Sequence, residues 1–502
     1  MADTDDIKKT DLAETGIAGL DDVVCGGLTP NAVYAVQGEP GSGKTTLALQ
    51  FLMAGARKGE RGLLVTLSES ADELRQVAAS HGWSLDGVDI VEILASEESL
   101  KPDARYTMFH PSEVELGETT RQVLEEVERL KPARIVFDSM SEFRMLAQNP
   151  HRFRRQVFAF KRLFTRIRCT VLLIDDRISD SDDIALHSIV HGVISLERHT
   201  PDYGPLRRRI QVTKLRGRQF REGLHDFRIE RGGIVVFPRL VASEHQTDYN
   251  REAIGSGLPK LDQLLGGGLS RGTSTLLLGP AGSGKSSLAA NYAAAAALRG
   301  EQAAIFLFDE SVATFTERSN GLGIDVAGLR KSGRLVVRQV DPGEMSSGEF
   351  THLVRMAVER DGARLVVIDS LNGYLNAMPT ERLLVIHLHE LLAFLGQRGV
   401  VTLLLMAQHG LLGVSPEAPV DTSYLADTVL LLRYFEARGA VRQAISVIKK
   451  RTGGHERTIR ELTLRDGGIE IGEPLRAFQG VLTGMPSILD DSGVARGDGR
   501  TG

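Results

Sequence analysis

Cysteine is nearly missing: 502 residues carry two, Cys25 and Cys169. Two thiols in so long a chain make no disulfide framework, and both read as partly buried small hydrophobes. Aromatic residues are 5% of the chain and tryptophan occurs once, thin material for a base-stacking platform that grips single-stranded nucleic acid. No apolar run reaches the ~18 residues of a membrane helix. The opening MADTDDIKKT is polar and acidic, without an apolar signal core. A net charge of −5 exerts no global pull on a polyanion. The expectation is a cytoplasmic protein with no membrane segment, and at roughly 100–200 residues per domain it holds two to four domains.

What is present is written twice. GEPGSGKTT (Gly38–Thr46) and GPAGSGKSS (Gly279–Ser287) stand 241 residues apart. TGIAGLDDVVCGGL from Thr15 and SGLPKLDQLLGGGL from Ser256 keep that offset, as do LLVTLSES (Leu63–Ser70) and AIFLFDES (Ala304–Ser311). RIVFDSM (Arg134–Met140) matches LVVIDSL (Leu365–Leu371) at an offset of 231, so the first copy holds about ten extra residues between. Two long repeats mean tandem domains, not a solenoid of short units. The expected layout is a tail over 1–11, a first domain over 12–245, a second over 246–486 and a disordered tail over 487–502. The linker is placed in PRLVASEHQTDYNRE (Pro238–Glu252), which lacks apolar periodicity.

Within each copy short apolar runs alternate with helical stretches: AVYAVQG, then Lys44–Lys58, GLLVTLS, Ala71–His81, a charged amphipathic helix over 119–130, RIVFDS, His151–Ile167 and TVLLID. That order predicts an α/β fold with a mainly parallel sheet and helices on both faces. From Val193 successive short strands predict an antiparallel extension at one sheet edge.

Both glycine-rich stretches match G-x-x-x-x-G-K-[ST], with a strand before and a helix after. Such a loop turns successive backbone N–H groups inward onto phosphate oxygens, and the helix N-terminus adds partial positive charge. The cradle residues are Gly38, Gly41, Ser42, Gly43, Lys44, Thr45 and Thr46 in the first copy. In the second they are Gly282, Ser283, Gly284, Lys285, Ser286 and Ser287, entered through Gly279. Lys44 and Lys285 would reach the terminal phosphates; Thr45 and Ser286 would offer hydroxyls to Mg²⁺. A P-loop nucleotidase also needs an acid at the end of an apolar strand to hold the magnesium shell. Asp138 and Asp369 fit; Asp175 or Asp176 competes in the first copy but has no acidic counterpart in the second. Glu69 and Glu310, with Asp309 before the latter, end the strand after the phosphate-loop helix, where a carboxylate can orient or deprotonate a water. The competing reading of these acids and of Ser68 is a helix-start cap. No N-K-x-D guanine signature follows the loops, which favours ATP over GTP.

These features together resemble the circadian clock protein KaiC family, tandem RecA-like ATPases. The resemblance spans about 12–485 and rests on the duplicated entry segment, both loops, VTLSES and LFDES, HGW (81–83), RRRIQVTKLRGRQF (207–220) and LADTVLLLRYFEARGAVRQAISVIKKR (425–451). It implies two RecA-like domains, a two-tiered homo-hexamer with ATP and Mg²⁺ between subunits, and a possible KaiB-like partner. It also implies that Lys214 and Arg216, and in the second tier Lys449 and Arg451, reach the neighbouring subunit's phosphates. In the family the second domain phosphorylates itself on a Ser-Thr pair. Here PVDTSYLADT puts Ser423 on the serine and Tyr424 where the threonine would be, with Thr422 as a second acceptor. Asp309-Glu310 replaces a Glu pair, and Ser68 replaces one Glu of the first domain. The alternative is a RecA- or helicase-type DNA-dependent ATPase. Its basic clusters would be HRFRR (151–155) and RRR (207–209), both short enough to be solvated faces.

Overall fold

The computed structural model describes residues 12–93, 111–176, 183–201, 204–376, 384–408, 425–481 and 487–488. The chain divides into two units, Met1–Arg239 and Leu240–Gly502.

Among the described residues the first unit is built on nine strands: β1 (Val33–Gly38), β2 (Gly62–Thr66), β3 (Val88–Glu92), β4 (Arg134–Asp138), β5 (Thr170–Asp176), β6 (Gly192–His199), β7 (Arg207–Leu215), β8 (His225–Glu230) and β9 (Gly233–Phe237). Their order across the sheet is β3-β2-β4-β5-β1-β6-β7-β8-β9. β3 to β6 run parallel across that order, and β7, β8 and β9 add on antiparallel, each to its neighbour. This is the expected antiparallel extension. The helices are α1 (Ala18–Val23), α2 (Lys44–Arg57), α3 (Ala71–Ser80), α4 (Pro111–Leu130), α5 (Met140–Ala147), α6 (Pro150–Arg166) and α7 (Asp183–Ile189). α4 starts eight residues earlier than the charged pattern over 119–130 suggests.

Every residue of β1 is buried, because a parallel strand covered on both faces has no solvent side. Tyr34 and Val36 enter one core with α2, and Val33 and Ala35 enter the other with α4 to α6. α6 shows how the sequence makes such a layer. Asn149 caps it through a bond from the His151 N–H, and Pro150 occupies the first turn, where no N–H is needed. Phe153, Val157, Phe160 and Phe164 recur at helical spacing and are buried. Phe137, Phe143 and Phe160 meet ring to ring at 5.0–5.7 Å. Cys169 is buried among them, but Cys25 is exposed, not partly buried as its residue type suggests.

The second unit repeats the plan. A two-residue pair, β10 (Ala253–Ile254) with β11 (Leu269–Ser270), precedes β12 (Ser274–Gly279), β13 (Gln302–Leu307), β14 (Leu335–Gln339), β15 (Ala363–Asp369), β16 (Val401–Ala407), β17 (Thr428–Ala437), β18 (Ala440–Lys450), β19 (Ile459–Arg465) and β20 (Gly468–Pro474). The sheet order is β14-β13-β15-β16-β12-β17-β18-β19-β20. Helices α8 (Pro259–Leu264), α9 (Lys285–Leu298), α10 (Val312–Gly321), α11 (Val326–Lys331), α12 (Ser347–Glu359), α13 (Leu371–Asn376) and α14 (Leu384–Gln397) cover it. Successive β13 residues again alternate between two cores, Ile305 into one and Phe306 into the other. Leu240 and Ala242 are buried in the second of these. Among the described residues no helix is long and apolar enough to cross a membrane.

Candidate functional site

Each glycine-rich loop links the end of a central parallel strand to the helix that follows. Gly43 and Gly284 stand at the N-caps of α2 and α9 with φ of +105° and +96°. Only glycine adopts this left-handed turn without penalty, and the turn aims the first-turn N–H groups into the loop. Lys44 Nζ donates to the carbonyls of Gly38 and Glu39, both at 2.9 Å, and lies 2.8 Å from Asp176 Oδ1. Lys285 Nζ donates to the carbonyls of Gly279 and Pro280 at 2.9 and 2.7 Å. Both lysines therefore fold back across their loops. Ser42 Oγ and Ser283 Oγ are buried and have no hydrogen-bond partner, so each loop keeps a polar atom that phosphate oxygen would satisfy.

The acid of each site closes the cradle. Thr45 Oγ1 donates to Asp138 Oδ2 at 3.2 Å, and the Ser286 side chain stands beside Asp369 and favours its ionised form. Asp138 and Asp369 end β4 and β15, and the peptide bond after each is cis. Burial pushes Asp138 up to about 6, helped by the Glu69 charge and opposed by the Thr45 bond. Burial does the same to Asp369, also to about 6, against the Ser286 side chain. A carboxyl so held beside a hydroxyl gains much from a cation, and that donor set fits Mg²⁺. Asp175 and Asp176, the competing acids, have other partners. Ser141 donates to both, Arg144 pairs with Asp175, and Asp176 takes Lys44. In the second unit Ala407 occupies the register position of Asp176, and Lys285 faces no such acid. Burial draws the Lys285 ammonium down to about 8, with Asp369 pulling the other way.

Glu69 and Glu310 follow β2 and β13. Thr66 Oγ1 donates to the Glu69 carbonyl and accepts the Glu69 N–H, at 2.8 and 3.0 Å, which fixes the turn. Glu69 Oε2 is buried without a hydrogen-bond partner. Burial and then the nearby Glu73 charge raise the Glu69 carboxyl above the ordinary range. Glu310 instead pairs with Arg318 at 2.5 Å. Asp309 is exposed and accepts from Ser370 Oγ. None of these acids caps a helix. The caps are Ser70, which forms a reciprocal box with Glu73, and Ser311. Ser68 is exposed and does not cap.

The four strand-end cations are not brought to their own loops. Lys214 pairs with Val193, level with Ala35 and three residues back from Gly38. Lys449 pairs with Val429, level with Leu276 and three residues back from Gly279. Lys214 donates to the Val190 carbonyl at 2.9 Å, Arg216 to that of Ser188 at 2.8 Å, and Lys449 to that of Ala426 at 2.8 Å. Arg451 faces Asp427 at 3.3 Å. Thr422 and Ser423 lie outside the described residues.

Residue types alone left some supports unseen. Arg198 reaches Glu39 in the first loop at 3.0 Å. Tyr434 and Gln443 donate to the Ala281 and Gly282 carbonyls of the second, both at 3.2 Å. All three sit on strands beside a loop, and a register drawn from the repeat would have found them. Arg318 has its own signal: aligning the copies at 241 residues puts Val77 opposite it.

The model of the KaiC ATPase family matches residues 13–241 and again 254–476. The chain is 28% identical over 499 residues to the circadian clock protein KaiC3 of Synechocystis sp., covering 98% of this chain and 97% of that one. It is 26% identical over 482 residues to the circadian clock oscillator protein KaiC of Thermostichus vulcanus, with 95% and 92% covered. With the Prochlorococcus marinus KaiC the identity is 26% over 484 residues, with 95% and 96% covered. Two parallel-sheet units, each with its phosphate loop, and a family match over both of them place this chain in the KaiC family of ATPases.

Proposed function

We propose that the chain binds ATP at both loops and hydrolyses it in a ring of like subunits, and that the second unit also transfers phosphate to its own hydroxyls. The carrying observation is a repetition. In each unit an inward-folded lysine, a hydroxyl–aspartate pair and a strand-end glutamate stand at matching positions. In this reading backbone N–H groups with Lys44 or Lys285 hold the phosphates, and Thr45 with Asp138, or Ser286 with Asp369, hold Mg²⁺. The ion supplies positive charge where the phosphoryl oxygens gather negative charge. Glu69 orients the attacking water; Glu310, with Asp309 beside it, holds the matching place in the second unit, where it serves the transfer to the chain's own hydroxyls.

Lys214, Arg216, Lys449 and Arg451 are read as cations lent to the neighbouring subunit's phosphates. Their position well back from their own loops supports this. A positioned cation stabilises charge building on the transferred group, so turnover then depends on assembly. The phosphate acceptor is Ser423, with Thr422 second. A timing or signalling role is read from relatives that bear clock names, and a KaiB-like partner belongs to the same proposal. The DNA-dependent alternative is not favoured: the family match covers both units.

The test is phosphate release with phosphopeptide mapping across 415–430, on wild type, Glu69→Gln and Glu310→Gln. Glu69→Gln is expected to remove most release, and Glu310→Gln to remove incorporation. A chain that stays unmodified across 415–430 loses the transferase claim and remains an ATPase. A chain that turns over no ATP overturns the reading.

A further inference from the structure

One difference between the two sites lies on the helix that follows the glutamate. α3 and α10 follow the two glutamates and begin at Ser70 and Ser311. Seven residues beyond the cap the first unit has Val77, partly buried against its core, and the second has Arg318. The Arg318 guanidinium sits 5.4 Å from the Phe315 ring centre. Its Nη1 donates to Ser287 Oγ at 3.1 Å and its Nη2 to Glu310 Oε1 at 2.5 Å. Ser287 is the second hydroxyl after Lys285, so one side chain ties the phosphate-loop helix to the glutamate. The pair is sheltered, with 31% and 23% of the two side chains exposed.

The charges that the following helices turn toward the two glutamates are opposite in sign, although Lys44 also acts on Glu69 and Asp369 lies near Glu310. Glu69 feels Glu73, the partner of the Ser70 cap. At Glu73's position the second unit has uncharged Thr314 and, four residues on, the cation Arg318. A carboxylate oxygen in a charge-assisted bond to guanidinium faces that cation in place of water. A carboxylate with a buried, unpartnered oxygen keeps both its basicity and its freedom to take a water.

We propose that Arg318 holds Glu310 out of the water-orienting role, so that the second site keeps its triphosphate while the first hydrolyses. Arg318 is a positioning residue, because it acts through Glu310. The inference rests on ATP turnover at both loops, as read above. It sets the order of the two rates by a contact within one unit.

The test uses the full chain carrying Glu69→Gln, which leaves the second site as the source of turnover. To this are added Arg318→Val, the residue of the first unit, Arg318→Gln and Arg318→Lys. Val and Gln are expected to raise kcat about 3- to 30-fold, part of the ~100- to 10,000-fold a positioned base supplies, with KM moving less than about threefold. Arg318→Lys should keep the slow rate. An unchanged or lower kcat in both Val and Gln, with ATP binding still dependent on Lys285, overturns the role of Arg318 and leaves the ATPase reading standing. Loss of Lys285-dependent ATP binding in the Glu69→Gln parent overturns the functional reading itself.

Discussion

Asp138→Asn should stabilise the nucleotide-free first unit. Asp138 is 6% exposed, and its carboxyl is raised from 3.8 to about 6, chiefly by burial. The folded chain therefore holds this proton more tightly than the unfolded chain. Its contribution to stability is greatest below pH 4, falls as pH climbs from about 4 to about 6, and stays low above. At about 1.4 kcal/mol per tenfold change in acidity, ionised Asp138 lowers stability at pH 7 by about 3 kcal/mol. Asparagine is neutral throughout, and its side-chain oxygen can still accept the Thr45 hydroxyl. The variant should gain about 2–3 kcal/mol at pH 7, which for a unit this size is about 5–10 °C in Tm. Trp83 gives a selective assay. It is the chain's one tryptophan and lies in the first unit, stacked on His81 at 4.6 Å. Its emission, followed through thermal unfolding without nucleotide, reports that unit alone. The gain should shrink below about 1 kcal/mol at pH 4.5. With Mg²⁺ and ATP the order should reverse, because only the wild type gives the cation a carboxylate. A variant no more stable than wild type at pH 7, or a gain undiminished at pH 4.5, refutes the reasoning.

Two other outcomes are expected. Lys285 loses its proton near pH 8 because it is buried, so above that pH second-site ATP affinity should fall toward tenfold per pH unit as the binding-competent ammonium disappears; equilibrium binding in a Lys44→Ala chain from pH 7 to 9.5 measures it, and a flat profile contradicts it. Gly43→Ala forces a side chain into φ +105°, while its new Cβ crowds the movable Ile229 Cδ1 at 2.8 Å and meets Ile234 Cδ1 at an ordinary 3.7 Å; the cost should be about 1–2 kcal/mol, and Trp83 emission together with first-site binding should show a mild stability loss and an affinity loss of about tenfold or more.

Most of the fold was legible because its signals are local. Apolar runs such as VYAVQG read as doubly covered strands, and the phosphate loops fix lysine, hydroxyl and glycines within eight residues of one another. Asp138 and Asp369 could be found because the copies agree, and both sit beside their loop hydroxyls. Contacts across elements were not legible. That Glu310 meets Arg318 depends on how α10 lies against α9. That Asp176 meets Lys44 depends on β5 lying beside β1 in register. The competing reading of these positions as helix caps fails for a related reason. Ser68 and Asp309 have capping chemistry, yet the chain turns into the helix two residues later, at Ser70 and Ser311.

The central claim is that each polypeptide grips triphosphate twice. Equilibrium binding of a slowly hydrolysed ATP analogue with Mg²⁺ measures this directly. The account predicts two bound per chain, one after either Lys44→Ala or Lys285→Ala, and none after both. A single site in the wild type, or binding that survives the double substitution, would contradict it.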